Sequence, residues 1–390
     1  MAWSRGRLLL IAALALCYAV FLAWYHAPYA GSTDAAGYLN SARLLLDGRL
    51  SEPLRVPADF PAEIPRARLT PLGFRLDPAQ QNLLPTYPIG LPLHFAALGS
   101  VIGLGPATTG IAVLSALAFA WLLYLTSREF GVRPAWSLGV ALLGALSPLT
   151  LHFALQPMSD VVAATWTLAA LYSALRSHRQ AAWAAGAGAA FALAVLVRPT
   201  NLLLVVPLAF ALPARLRAWL AFGLGGLPGA VFLAFYNHRL HGSITRSGYG
   251  DVSSLFSAGY LPGNLWHYVQ WIPVVASPLV LAAVALPRVA RERRPQLILA
   301  SWAGVILLCY GAYYCTSETW WYLRFILPGL PALGIAAALV LQEFRYPAWV
   351  FVSHLIPAGA PPDRRGAGRT VRASAALLLV VAALGWNPWW

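Results

Sequence analysis

The sequence predicts an all-α polytopic membrane protein. About eleven transmembrane helices form a single membrane-embedded domain over 1–390, with a first outer loop at 26–106 bearing surface helices and a second large outer loop at 237–271. Three observations predict this class. Hydrophobic residues make up 59% of the 390 positions and charged residues 10%, where a soluble domain carries roughly 25% charged residues. Mean hydropathy is +0.65, spread along nearly the whole chain, so the apolar surface faces lipid. The 27 basic residues are all Arg, against 13 acids, a formal charge of +14.

The first element is an apolar run at 8–25, preceded by Arg5 and Arg7; a bilayer core needs about 20 residues. Pro28 and the bulky Tyr25 sit where a cleavage site wants small residues, so the run reads as a retained anchor with its N-terminus inside. Further apolar runs follow at 107–126, 135–151, 161–175, 181–197, 200–212, 218–236, 272–286, 297–315, 325–341 and 373–386. Several fall short of the roughly 17 residues a span prefers.

The stretch 89–103 decides the topology. If it does not cross, the loops beyond it place 15 Arg inside and four outside (Arg198, Arg239, Arg246 and Arg324); if it crosses, that ratio reverses and violates the positive-inside tendency. Pro92, His94 and three glycines also suit a helix lying in the interface. The inside then carries 17 Arg and four acids, the outside ten Arg and nine acids. Acids therefore concentrate outside, chiefly in the first loop, and long loops of this kind are usually functional.

That loop opens Gly31-Ser32-Thr33-Asp34, then sets Ala35, Tyr38, Leu39, Ala42, Leu45 and Leu46 at helical spacing, closed by Asp47 and Gly48. A surface helix results, with Asp34 at its N-terminus. Asp34 reads either as the helix cap or as a carboxylate held above the bilayer as general base or metal ligand. Six prolines between Pro53 and Pro78 make the loop irregular before it reaches Tyr87-Pro88-Ile89-Gly90.

Later outer turns add Met158-Ser159-Asp160, Arg198-Pro199-Thr200 and Glu318 to Arg324. Singly, Asp160 reads as a helix cap and the two Arg as snorkelling side chains; together, carboxylates and guanidiniums at one depth read as a site. The loop 237–271 holds His238 and His241, three apart as zinc ligands can be, without a complete ligand set. It also carries Tyr249, Phe256, Tyr260 and Trp266, and most aromatic residues near span ends belong to the interfacial belt. The absence of Lys excludes a Walker A lysine and a Schiff base. Cys17, Cys309 and Cys315 lie in apolar runs and read as small hydrophobes. Nucleic acid is not an expected partner, since no Arg cluster sits on a polar domain.

At these residues the sequence resembles the GT-C superfamily of integral-membrane glycosyltransferases, in particular bacterial members similar to the aminoarabinose, mannosyl and Rgt-type transferases. The matching pieces are Asp34 before its amphipathic helix, Tyr87-Pro88-Ile89-Gly90, Met158-Ser159-Asp160, Arg198-Pro199-Thr200, and Tyr322-Leu323-Arg324-Phe325 leading to Pro328 and Pro331.

The resemblance implies transfer of a sugar from a polyprenyl-phosphate carrier to a glycan, lipid or protein acceptor at the periplasmic or extracellular face of a bacterial cell (inner) membrane. It implies Asp34 as catalytic base or acceptor-orienting group; Arg198 and Arg324 are expected to bind the donor phosphate, a task the guanidinium fork suits. Asp160, Glu318 and Tyr87 fall on the acceptor or sugar side. No cofactor is assigned, and a divalent cation is optional. Many members carry two neighbouring acids in the first loop; here Asp34 is followed by Ala35 and Ala36. A lipid transporter or flippase competes, but would place charges near the midplane and show internal repeats. A lipid-glycan polymerase would share the outer-face site.

Overall fold

The computed structural model describes residues 5–290 and 292–343. The expected span at 373–386 lies outside the described residues. Helix α1 (Arg5–Tyr25) follows the first apolar run. Surface helix α2 (Thr33–Leu46) begins at Ser32, whose Oγ accepts from the Ala35 N–H at 3.3 Å. Its buried face runs through Ala35, Tyr38, Leu39, Ala42 and Leu44, while Leu46 is 39% exposed. The chain leaves the helix through Gly48, so the last turn points Leu44 inward in place of Leu46.

The Pro-rich segment is not wholly irregular. β1 (Glu52–Pro53), β2 (Phe74–Leu76) and β3 (Asn82–Pro85) form an antiparallel sheet in the order β1-β3-β2, with Glu52 opposite Leu83 and Phe74 opposite Pro85. Asp77 closes the β2–β3 turn: its Oδ1 accepts from the Gln81 N–H at 2.8 Å and its Oδ2 from the Asn82 amide at 2.8 Å. This local pairing gives the backbone its partners despite six prolines.

Helix α3 (Gly90–Ile102) occupies the stretch 89–103, where a helix is expected. Gly103, at φ 83°, turns the chain directly into α4 (Leu104–Glu129). Then come α5 (Pro134–Ala145), α6 (Pro148–Ala154), α7 (Asp160–Arg176), α8 (Ala182–Val197), a 3-10 turn at Pro199–Leu204, α9 (Val205–Ala211) and α10 (Leu216–His241). The last third holds α11 (Leu261–Ala276), a 3-10 turn at Pro278–Ala285, α12 (Leu286–Val289), α13 (Arg293–Gly311), a 3-10 turn at Trp320–Ile326 and α14 (Leu330–Leu341).

Among the described residues, α4 and α10 are each long and apolar enough to cross a bilayer alone. Three further broken pairs qualify together, bent by 53° between α5 and α6, 117° at Ser277, and 85° before α14. Among the described residues two helices, or five spans if each bent pair counts as one, pass by length and composition, so the count of about eleven is not reached there. Proline lacks the N–H a helix needs, and the breaks fall at Pro148, Pro278 and Pro328. Ser277 sits at φ 81°, which no helix accommodates.

Lipid-facing surface is plain on α10. Leu216, Leu220, Leu224, Leu227, Val231 and Phe235 are all exposed, three or four residues apart, one continuous apolar stripe. The opposite side closes on α8 through small residues: a Cβ on Gly188 would lie 1.9 Å from the Phe222 carbonyl oxygen, and one on Gly225 2.0 Å from that of Ala185. Such approach of backbones is how helices associate in lipid, where the hydrophobic effect between them is absent. The chain is a membrane protein built around packed helices.

Candidate active site

Four chain segments that the sequence separates widely meet at one point. Asp34 occupies the first turn of α2; because Ser32 takes the cap, the Asp34 carboxylate is free to leave the helix, and its Oδ2 accepts from Arg324 Nη2 at 2.6 Å. Asp160 opens α7 but caps nothing. Its Oδ1 accepts from Arg198 Nη2 at 2.5 Å, and its Oδ2 faces Arg324 Nη1 at 3.9 Å. The four groups form an alternating row, Asp34–Arg324–Asp160–Arg198, with no net charge.

Neither guanidinium snorkels. Arg198 is 8% exposed and Asp160 fully buried. Arg198 stands where α8 ends against Pro199, and its Nη1 donates to the backbone carbonyls of Arg324 and Phe325 at 3.3 and 3.5 Å. Three rings surround Arg324, those of Phe325, Phe153 and Tyr322, at 4.9, 5.5 and 5.9 Å from the guanidinium carbon. Aromatic faces offer partial negative charge in a place water reaches poorly. Asp160 Oδ2 and Arg324 Nε are both buried without a hydrogen-bond partner, so the centre of the row has unmet hydrogen-bonding capacity.

Tyr87 lies near Asp34, close enough for the charge of the carboxylate to act on its phenol. The contact depends on two glycines: a Cβ on Gly37 of α2 would lie 2.3 Å from Tyr87 Cδ2, and one on Gly73 2.3 Å from Gly37 Cα. Gly73 is also at φ 84°, a region that disfavours side chains. The first loop thus lies directly on α2 and wedges Tyr87 beside the carboxylate. Tyr38, one turn on from Asp34, donates its hydroxyl to Ser159 Oγ at 3.0 Å and its ring meets that of Tyr87 at 5.3 Å. Tyr87 meets Tyr249 edge to face at 5.9 Å. Burial, reinforced by the charge of Asp34, raises the pKa of Tyr38 and Tyr87 above the ordinary phenol value, so both remain hydrogen-bond donors.

The structure brings together Asp34, Asp160, Arg198, Arg324 and Tyr87. Glu318 remains exposed on the turn after α13, its backbone N–H bonded to Cys315, and among the described residues it joins none of these ion pairs. His241 Nδ1 meets Arg75 Nη2 at 3.0 Å, while His238 is exposed. Among the described residues no three His, Cys, Asp or Glu side chains gather as a metal site would require.

Sequence reading missed Ser159, Phe153, the glycine contact and Tyr249 as parts of this site. Ser159 had a signal in standing beside Asp160; the glycines had none, because their partners lie far away in the chain.

No family model and no curated protein matches the chain. Solved structures do. The crystal structure of ArnT from Cupriavidus metallidurans bound to undecaprenyl phosphate is similar at a TM-score of 0.59 and 16% identity, covering 98% of this chain and 71% of that one. Its apo form gives 0.59 and 17% with the same coverage. The Archaeoglobus fulgidus oligosaccharyltransferase in the apo form gives 0.53 and 14%, covering 98% of this chain and 55% of that one. The chain shares its fold with these proteins.

Proposed function

We propose that this chain transfers a sugar from a polyprenyl-phosphate-linked donor to an acceptor at the outer, periplasmic face of a bacterial inner membrane. The observation that carries the reading is the row Asp34–Arg324–Asp160–Arg198, a carboxylate beside two guanidiniums that could take a lipid phosphate. The ArnT structure, which shares the fold, holds undecaprenyl phosphate. The Arg distribution supports the outward orientation.

In this mechanism the donor phosphate enters between Arg324 and Arg198. Its oxygens compete with Asp34 for the Arg324 fork, which releases the Asp34 carboxylate beside Tyr87. Asp34 accepts the proton of an acceptor hydroxyl as that oxygen bonds to the anomeric carbon. The bond from the anomeric carbon to the phosphate oxygen breaks, and its electron pair leaves with the polyprenyl phosphate. The two Arg hold the new negative charge. Asp160 keeps both guanidiniums in place, and Tyr87 orients the base.

The test is turnover. Purified protein in lipid is given labelled polyprenyl-phosphate sugars and glycan or lipid acceptors, and both free carrier phosphate and labelled product are measured. Carrier-dependent movement of lipid across vesicles without sugar transfer would replace this reading with a flippase.

A further inference from the structure

We infer that Tyr249 is the platform against which the carbohydrate ring at the reaction centre packs, a role that rests on the glycosyltransferase reading. Tyr249 stands at the tip of a tight turn: the Gly250 N–H donates to the Ser247 carbonyl at 3.1 Å, and Gly250 sits at φ 71°. On its other side Gly248 is pressed to the end of β3, where a Cβ would lie 2.2 Å from the Thr86 carbonyl oxygen. Only glycine fits 248, and glycine is the residue that relieves the strain at 250. The turn therefore fixes where the tyrosine projects.

The loop bearing it is tied down on both sides of the charged row. One side is the Gly248 contact beside Tyr87. On the other, Ser257 N–H donates to the Ala312 carbonyl at 2.8 Å and Tyr314 N–H to that of Leu255 at 3.1 Å, on the segment leading to Arg324. Tyr249 thus belongs to a loop anchored at both ends beside the site, and its ring meets Tyr87, a neighbour of Asp34.

Despite these neighbours Tyr249 is 41% exposed. Desolvation nonetheless raises its pKa well above the ordinary phenol value.

A sugar ring needs two kinds of partner. Its hydroxyls take charged and polar groups, which Asp34, Asp160 and the two Arg supply. Its C–H faces carry partial positive charge and suit the negative face of an aromatic ring. Tyr249 is the open aromatic surface next to Tyr87, at the right side of the base to serve a ring whose reacting atom sits by Asp34. Both the donor sugar and a glycan acceptor present this chemistry.

The test uses the full chain in lipid nanodiscs, with Tyr249→Ala, Tyr249→Phe and Tyr249→Trp beside wild type. Michaelis constants are measured for a polyprenyl-phosphate sugar and for a glycan acceptor, and the inhibition constant for sugar-free polyprenyl phosphate. The expected result is a roughly tenfold rise in one Michaelis constant for Tyr249→Ala, equivalent to about 1.4 kcal/mol, with sugar-free carrier inhibiting as before. Phe and Trp recover most of the loss. A rise for the donor assigns the ring to the transferred sugar; a rise confined to the glycan assigns it to the acceptor. Unchanged constants for both overturn the inference, as does equal weakening of the sugar-free carrier, which would make Tyr249 a support of the loop. Wild type that turns over no lipid-linked sugar overturns the glycosyltransferase reading and this one with it.

Discussion

Arg324 donates to Asp34 across 2.6 Å although 290 positions separate them, and the same guanidinium faces Asp160 at 3.9 Å. A single cation thus lies between a half-open carboxylate and a fully buried one. The two carboxylates have different solvent access, and the consequences of removing them differ accordingly.

Asp34→Asn keeps the shape of the side chain and removes its basicity. Arg324 retains Asp160 as counter-ion, so the variant inserts and melts close to wild type while transfer falls by about two to four orders of magnitude, the usual contribution of a general base. Single-turnover transfer by matched amounts of folded protein checks this; an active variant would eliminate Asp34 as the base.

Asp160→Ala acts on stability first. It leaves Arg198 buried at 8% exposure without its carboxylate, and breaking a buried pair in this way costs about 3–5 kcal/mol. The expected outcome is a large drop in melting temperature in detergent, far beyond that of Asp34→Asn. Equal melting of the two variants would show that Asp160 is dispensable to the fold.

Arg324→Lys keeps the charge and loses the fork. A compact ammonium cannot serve Asp34, Asp160 and a lipid phosphate in one plane. Product inhibition by polyprenyl phosphate should weaken about tenfold or more, within the roughly 1.5–3 kcal/mol of a charge-assisted bond. Unaltered inhibition would remove Arg324 from the phosphate site.

Much of this site was legible in the sequence because ionisable residues are rare here and each interrupts an apolar stretch. Asp34, Asp160, Arg198 and Arg324 could be gathered on one face from topology alone. Their pairing could not, since nothing local links residue 34 to residue 324. Glu318 was grouped with the site because it stands six positions before Arg324, yet the 3-10 turn between them turns it away to solvent. Tyr249 was hidden among interfacial aromatics, which are common at span ends.

Helix breaks were equally hard to read. Pro228 lies inside α10 without ending it, in the stretch where Gly225 and Gly229 press on α8. By contrast, Pro278 follows a residue at positive φ and opens a turn of 117°. Tertiary contact decided which prolines bend the chain.

Gly37→Ala tests the wedge that places Tyr87. The new methyl would lie 2.3 Å from Tyr87 Cδ2, so the ring must shift, and overpacking of this kind costs about 1–3 kcal/mol. Transfer should fall more than stability does, since the displaced ring lies beside Asp34. Gly31→Ala, with open space at its Cβ position, is the matched control.

Alkaline pH should act through the buried phenols. The pKa of Tyr38 is raised in the folded protein from an ordinary value of 10.0, first by burial and then by Asp34. Above pH 10 the unfolded chain begins to lose this proton while the folded chain keeps it. The folded state then binds more protons than the unfolded state, so stability falls as pH rises and is complete only below that value. Tyr87 and Tyr249 shift in the same direction. Tyr38→Phe removes one of these protons at the cost of the 3.0 Å bond to Ser159, about 0.5–1.5 kcal/mol at neutral pH. Melting temperature against pH should therefore start lower for the variant and decline less steeply above pH 10 than in wild type. Parallel curves would mean that Tyr38 titrates as an ordinary, solvated phenol.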